Sequence, residues 1–124
     1  MKRLLFIVTI IAAISVFSVS AQSDYYIKKV QSYQREAEYY QKKADGYRRE
    51  ATYYLKKAEG YQREAAYYTK RGDLDRAKTY SRYAENEIDK YETQLRYATQ
   101  ADDKAAMYLR WVADALKNIN LIYH

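Results

Sequence analysis

Between Tyr26 and Tyr68 the chain places Tyr and small apolar residues in alternation at spacings of four and three: Tyr26, Val30, Tyr33, Ala37, Tyr40, Ala44, Tyr47, Ala51, Tyr54, Ala58, Tyr61, Ala65, Tyr68. A 4,3 spacing held over several heptads predicts a long helix that lays one narrow stripe on another helix. In heptad letters, Val30, Ala37, Ala44, Ala51, Ala58 and Ala65 occupy position a and the tyrosines occupy d. The stripe is carried by a fourteen-residue unit, YQREAEYYQKKADG at 33–46, YRREATYYLKKAEG at 47–60 and YQREAAYYTKRGDL at 61–74. Fourteen residues are two heptads, so every copy repeats the same helical face.

A second version of the unit appears at 83–96 and 97–110 with its phase moved by two residues. There the pattern predicts Leu74, Ser81, Ile88, Leu95, Asp102, Leu109 and Leu116 at a, and Ala77, Ala84, Tyr91, Ala98, Ala105, Val112 and Ile119 at d. The slip falls at Arg71-Gly72-Asp73-Leu74-Asp75. A cation in the last turn, Gly just past it and Asp as the next N-cap mark one helix ending and another beginning. The expectation is an all-α fold: a long antiparallel two-helix coiled-coil hairpin, with arm one over about 24–71, a turn at 71–75 and arm two over about 75–120.

An antiparallel register with Tyr68 opposite Leu74 layers Ala65 on Ala77, Tyr61 on Ser81, Ala58 on Ala84, Tyr54 on Ile88, Tyr47 on Leu95, Ala44 on Ala98, Ala37 on Ala105, Tyr33 on Leu109 and Val30 on Val112. A register one heptad away, with Tyr61 on Ile88, is the competing solution. In either, Asp102 is the one charged residue of the seam and faces a Tyr, which marks it as a register-setting polar residue whose carboxylate needs partners.

Seventeen Tyr and no Pro reinforce the helical reading, because the commonest helix breaker is missing. Met1-Lys2-Arg3, an apolar run from Leu4 to Val19 and small residues up to Ala21 have the form of a secretory signal peptide over 1–21, leaving 22–124 as the hairpin. The expected localisation is secreted or periplasmic, with N-terminal membrane anchoring through an uncleaved segment as the alternative. Removing the signal takes away Lys2 and Arg3 and lowers the formal charge from +6 to +4. That charge is concentrated in residues 22–71, with twelve Lys or Arg against seven Asp or Glu.

Two surface patterns are candidates for interaction. Position f of arm one is basic throughout, at Lys28, Arg35, Lys42, Arg49, Lys56, Arg63 and Lys70, a row suited either to solvation or to an anionic surface or polymer. Position c carries Tyr25, Tyr39, Tyr53 and Tyr67 alternating with Ser32, Gly46 and Gly60, and arm two adds Tyr83, Tyr97 and Trp111 at its own c positions. Two helices alone do not cover these outer rings, which invites a protein partner or a second copy. Position g alternates Lys29, Glu36, Lys43, Glu50, Lys57, Glu64 and Arg71, so an antiparallel dimer of first arms competes with the hairpin for the same stripe.

For catalysis the inventory is poor. The single His is His124, there is no Cys, no Gly-rich phosphate loop exists, and no acidic cluster has calcium or zinc spacing. The expectation is a non-enzymatic protein with no catalytic residues, no metal, no cofactor and no nucleic-acid partner.

Tyr61, Ala65, Tyr68, Gly72, Ala77 and Ala84 together resemble a single tetratricopeptide hairpin over residues 61–84, with Ser81 where that family carries a bulky aromatic and Asp89 where it carries Pro. The resemblance implies a helical turn at Gly72 and, more distantly, a peptide-binding adaptor. The functional expectations are a self-assembling structural or scaffolding element of the cell envelope or extracellular space; alternatively a periplasmic holdase-like chaperone or peptide adaptor; alternatively a binder of anionic envelope polymers. The apolar segment from Trp111 to Tyr123 is expected to pack beside the start of arm one.

Overall fold

The computed structural model describes residues 21–123. The signal segment expected over 1–21 lies, apart from Ala21, outside the described residues, as does His124. The fold is an all-α hairpin of two helices, α1 (Ala21–Lys70) and α2 (Leu74–Tyr123). No described helix is long and apolar enough to cross a membrane.

The turn follows from the residues that form it. The Gly72 N–H donates to the Thr69 carbonyl at 3.1 Å and the Asp73 N–H donates to the Tyr68 carbonyl at 3.0 Å, the paired bonds of a Schellman ending. That ending needs a left-handed residue, and Gly72 supplies it with φ 79°. Asp73 then caps α2: its carboxylate accepts the Arg76 N–H at 3.2 Å, and its carbonyl accepts the Ala77 N–H at 3.1 Å. Three residues therefore end one helix and start the next.

The chain divides into two compact units. The turn unit is Lys43–Gln100, and the terminal unit, among the described residues, pairs 21–42 with 101–123. Both are built on the α1 stripe that the sequence predicts: Ala44, Ala51, Ala58 and Ala65 are buried in the turn unit, Val30 and Ala37 in the terminal unit, and the d tyrosines are half-buried beside them. Small residues at a let the helix backbones approach, and the rings at d bury apolar surface beside them. In the terminal unit Val30, Val112, Ala115 and Ile119 form a core, with Tyr26, Ile27, Tyr33 and Leu116 packed on it, so the C-terminal segment does lie beside the start of α1. Leu121 remains exposed.

The α2 stripe needs a correction. Its d row is buried as expected at Ala77, Ala84, Ala98, Ala105, Val112 and Ile119. The expected second row of Leu74, Ser81, Ile88, Leu95, Asp102, Leu109 and Leu116 gives way to the row one residue earlier, Tyr80, Glu87, Gln94, Ala101, Tyr108 and Ala115, with Ile88, Leu109 and Leu116 part-buried on its flank. Leu74 is 67% exposed, and Ser81, Leu95 and Asp102 also face solvent. Moving one residue along a helix rotates the stripe by about 100°, so both choices share the Ala row and differ in which flank meets the α1 tyrosines. The observed choice puts rings of α2 on rings of α1, Tyr80 on Tyr68 and Tyr108 on Tyr40. It also exchanges a short acid, Asp102, for Glu87, whose additional methylene carries its carboxylate to cations at the edge of the seam.

Candidate functional site

In the turn unit, Tyr80 lies flat on Tyr68 at 5.5 Å and 7°, tilts against Tyr61 at 6.2 Å and 33°, and meets Tyr83 edge-on at 5.8 Å and 87°. Tyr83 closes the cluster on Tyr61 at 5.5 Å and 61°. In the terminal unit, Tyr108 lies flat on Tyr40 at 5.9 Å and 10°, tilts against Tyr33 at 6.2 Å and 37°, and meets Trp111 at 5.2 Å and 83°. Trp111 closes that cluster on Tyr33 at 5.3 Å and 60°. The two constellations have the same geometry, and their residues differ by 28 positions, forward along α1 and backward along α2.

These clusters revise the expected layers. Tyr61 meets Tyr80 and Tyr83 rather than Ser81, Tyr33 meets Tyr108 and Trp111 rather than Leu109, and Tyr47 meets Tyr97 at 5.5 Å rather than Leu95. The physical cause is the rotated α2 stripe. The aligned register with Ala65 near Ala77 is retained in the turn unit, since Tyr61 on Tyr83 and Tyr68 beneath Arg76 bracket that level. Burial keeps the Tyr108 phenol pKa above its ordinary value, with a further push from the Glu36 carboxylate.

The outer rings are organised by the same period. Tyr25, Tyr39, Tyr53 and Tyr67 are 53, 52, 55 and 46% exposed, and each packs edge-on against the seam tyrosine that follows it. Cations lie over several: Lys29 over Tyr25 at 4.7 Å, Lys57 over Tyr53 at 5.5 Å and Arg71 over Tyr67 at 4.5 Å. From α2, Arg76 covers Tyr68 and Lys90 covers Tyr54 in the turn unit, while Lys104 covers Tyr40 in the terminal unit. Such contacts add roughly 0.5–1 kcal/mol each at exposed sites. Tyr83, Tyr97 and Trp111 are 46, 40 and 40% exposed, and each meets an α1 ring at a steep angle.

Lys28, Arg35 and Lys42 in the terminal unit, and Arg49, Lys56, Arg63 and Lys70 in the turn unit, are all exposed. Asp102, expected within the seam, is exposed; the buried acid is Glu87, 6% exposed. Its Oε1 lies 3.7 Å from Lys57 and 3.4 Å from Lys90, while its Oε2 is buried with no hydrogen-bond partner. The Glu87 charge is the main reason the Lys57 pKa is raised, with the Tyr53 phenol contributing next.

Sequence reasoning missed Glu87, Tyr80 and Tyr108 as seam residues. The signal was the match between YSRYAENEIDK at 80–90 and YLRWVADALKN at 108–118, which aligns Tyr80 with Tyr108 and Tyr83 with Trp111.

Among the described residues no group of three or more His, Cys, Asp or Glu side chains is placed to hold a metal ion. Comparison of the chain with protein-family models, with curated proteins and with solved structures finds no match.

Proposed function

We propose that this protein is an exported, non-enzymatic coiled-coil element that works by self-association, as a structural or scaffolding component of the cell envelope or extracellular space. The observation that carries the reading is the outer face of α1 in the turn unit. There Tyr53 and Tyr67, about half exposed, alternate with Gly46 and Gly60. A glycine inside a helix costs about 1 kcal/mol against Ala. The hairpin itself has no need of these two, since a Cβ at either would meet only the tip of its own Arg49 or Arg63 side chain at 4.0 Å. Bare backbone beside a projecting ring suits a second copy whose ring covers the glycine. The same face carries Lys43, Glu50, Lys57 and Glu64, so an antiparallel copy meets both signs of charge.

Sedimentation velocity of the chain lacking residues 1–21 tests this. A defined oligomer that dissociates on combining Gly46→Leu with Gly60→Leu supports the reading, and a monomer at all accessible concentrations removes it. The row of exposed cations favours a second reading, adhesion to an anionic polymer, which requires binding that falls steeply between low and physiological salt.

A further inference from the structure

The duplicated ring clusters bring out one place where the units differ. In the turn unit, the Glu87 side chain is buried and reaches Lys57 at 3.7 Å. Twenty-eight positions away, Lys29 is the counterpart of Lys57, Tyr26 of Tyr54, Tyr33 of Tyr61 and Trp111 of Tyr83, but the counterpart of Glu87 is Ala115. No acid therefore stands at the Glu87 position, and the terminal unit has an open cleft of about 230 Å³ beside Lys29. Tyr26, Tyr33 and Trp111 wall it, Ala115 forms its buried floor, and Lys29, Asp114 and Asn118 supply its polar groups.

We propose that this cleft binds a small organic monocarboxylate with an apolar body, its carboxylate taking the place beside Lys29 that Glu87 takes beside Lys57. The aromatic walls receive the apolar body by ring stacking and area burial. The Asn118 amide, standing where Lys90 approaches Glu87 Oε1 in the turn unit, donates a further hydrogen bond to the bound carboxylate. Asp114 stands where the turn unit has the neutral Asn86, and its charge selects against dianions. Lys29 now rests over the Tyr25 ring at 4.7 Å, and the hydrogen bond with that phenol holds its pKa above the ordinary lysine value. It is thus a charged group parked on a neutral partner, which a carboxylate outcompetes.

Trp111 is the only tryptophan in the chain and lines the cleft, so its fluorescence reports occupancy directly. The full chain is titrated with 3-phenylpropionate and, as a carboxylate-free analogue, with 3-phenylpropanol. The expected result is a saturable change with the carboxylate at millimolar concentration or below, and binding of the alcohol at least tenfold weaker. Ala115→Glu, which copies the turn unit's own arrangement, is expected to weaken carboxylate binding at least tenfold. Lys29→Gln, at the part-buried rim and outside the apolar core, is expected to remove the preference for carboxylate over alcohol. Absence of saturation, equal binding of the two probes, or an unchanged preference in Lys29→Gln overturns the proposal.

Discussion

Lys57 on α1 and Glu87 on α2 meet at 3.7 Å across the turn unit, and the pair leaves the second carboxylate oxygen of Glu87 buried without a partner. An acid held in this way is costly to desolvate, and its attraction to two partly exposed lysines offsets that cost only in part. Replacing it by an apolar residue of similar size is expected to stabilise the hairpin: Glu87→Leu by about 1–2 kcal/mol, or roughly 5 °C in Tm. Glu87→Gln, which discards the charge yet keeps a polar group in the seam, is expected to destabilise by roughly 1 kcal/mol. Thermal unfolding followed by circular dichroism measures both, and a lower Tm for Glu87→Leu than for the parent would show that the buried carboxylate is net stabilising.

The same pair sets a pH dependence. Lys57 has a raised pKa in the folded chain, chiefly through Glu87. Its contribution to stability is therefore fully present below the ordinary lysine pKa of 10.5 and is lost as pH rises through the higher folded value. Tyr108, raised by burial, acts in the same direction above its ordinary 10.0. Urea midpoints between pH 8 and pH 11.5 should hold level and then fall above about pH 10, with a shallower fall in Glu87→Gln.

Tyr80 touches three other rings within its unit. Truncation in Tyr80→Ala is expected to cost about 2–4 kcal/mol, since it removes both apolar area and the ring geometry. Tyr80→Phe keeps the stack and should stay within about 1 kcal/mol of the parent. Chemical denaturation of the two variants separates the ring from its hydroxyl.

Gly72 is the only glycine of the chain with a positive φ, at 79°. Nothing lies within 4 Å of a Cβ placed there, so Gly72→Ala tests backbone conformation alone. The expected loss is roughly 1–2 kcal/mol. Gly60→Ala is the contrasting case, because a helical backbone there accepts a side chain. It should raise the stability of the monomeric hairpin by about 1 kcal/mol while weakening any association through that face. Unfolding at low concentration and sedimentation at high concentration distinguish the two effects.

The helical hairpin, the α1 stripe and the placement of the turn at Gly72 were legible because each is written locally, in the 4,3 spacing, the run of a-position Ala and the Gly-Asp pair. The second row of α2 was not. Reading from hydrophobicity favours Leu74, Ile88, Leu95 and Leu109, yet stacking favours the row with Tyr80 and Tyr108, and no property of α2 alone records what lies across from it. Asp102 was misplaced for the same reason. The cleft above Ala115 was hidden too, since an Ala in a helix pattern reads as close packing until the opposing lysine is known.

Because Tyr33 with Trp111 reproduces Tyr61 with Tyr83, the length of one helix is answerable to the other. A block of 28 residues removed from α1 alone would leave as long a stretch of α2 with no helix to pack on, whereas matched excisions from both sides of Gly72 would keep every surviving ring with an equivalent neighbour. Variants of this chain that differ in size should therefore do so by paired, quantised steps, like a zip fastener that can be shortened only by taking teeth from both tapes.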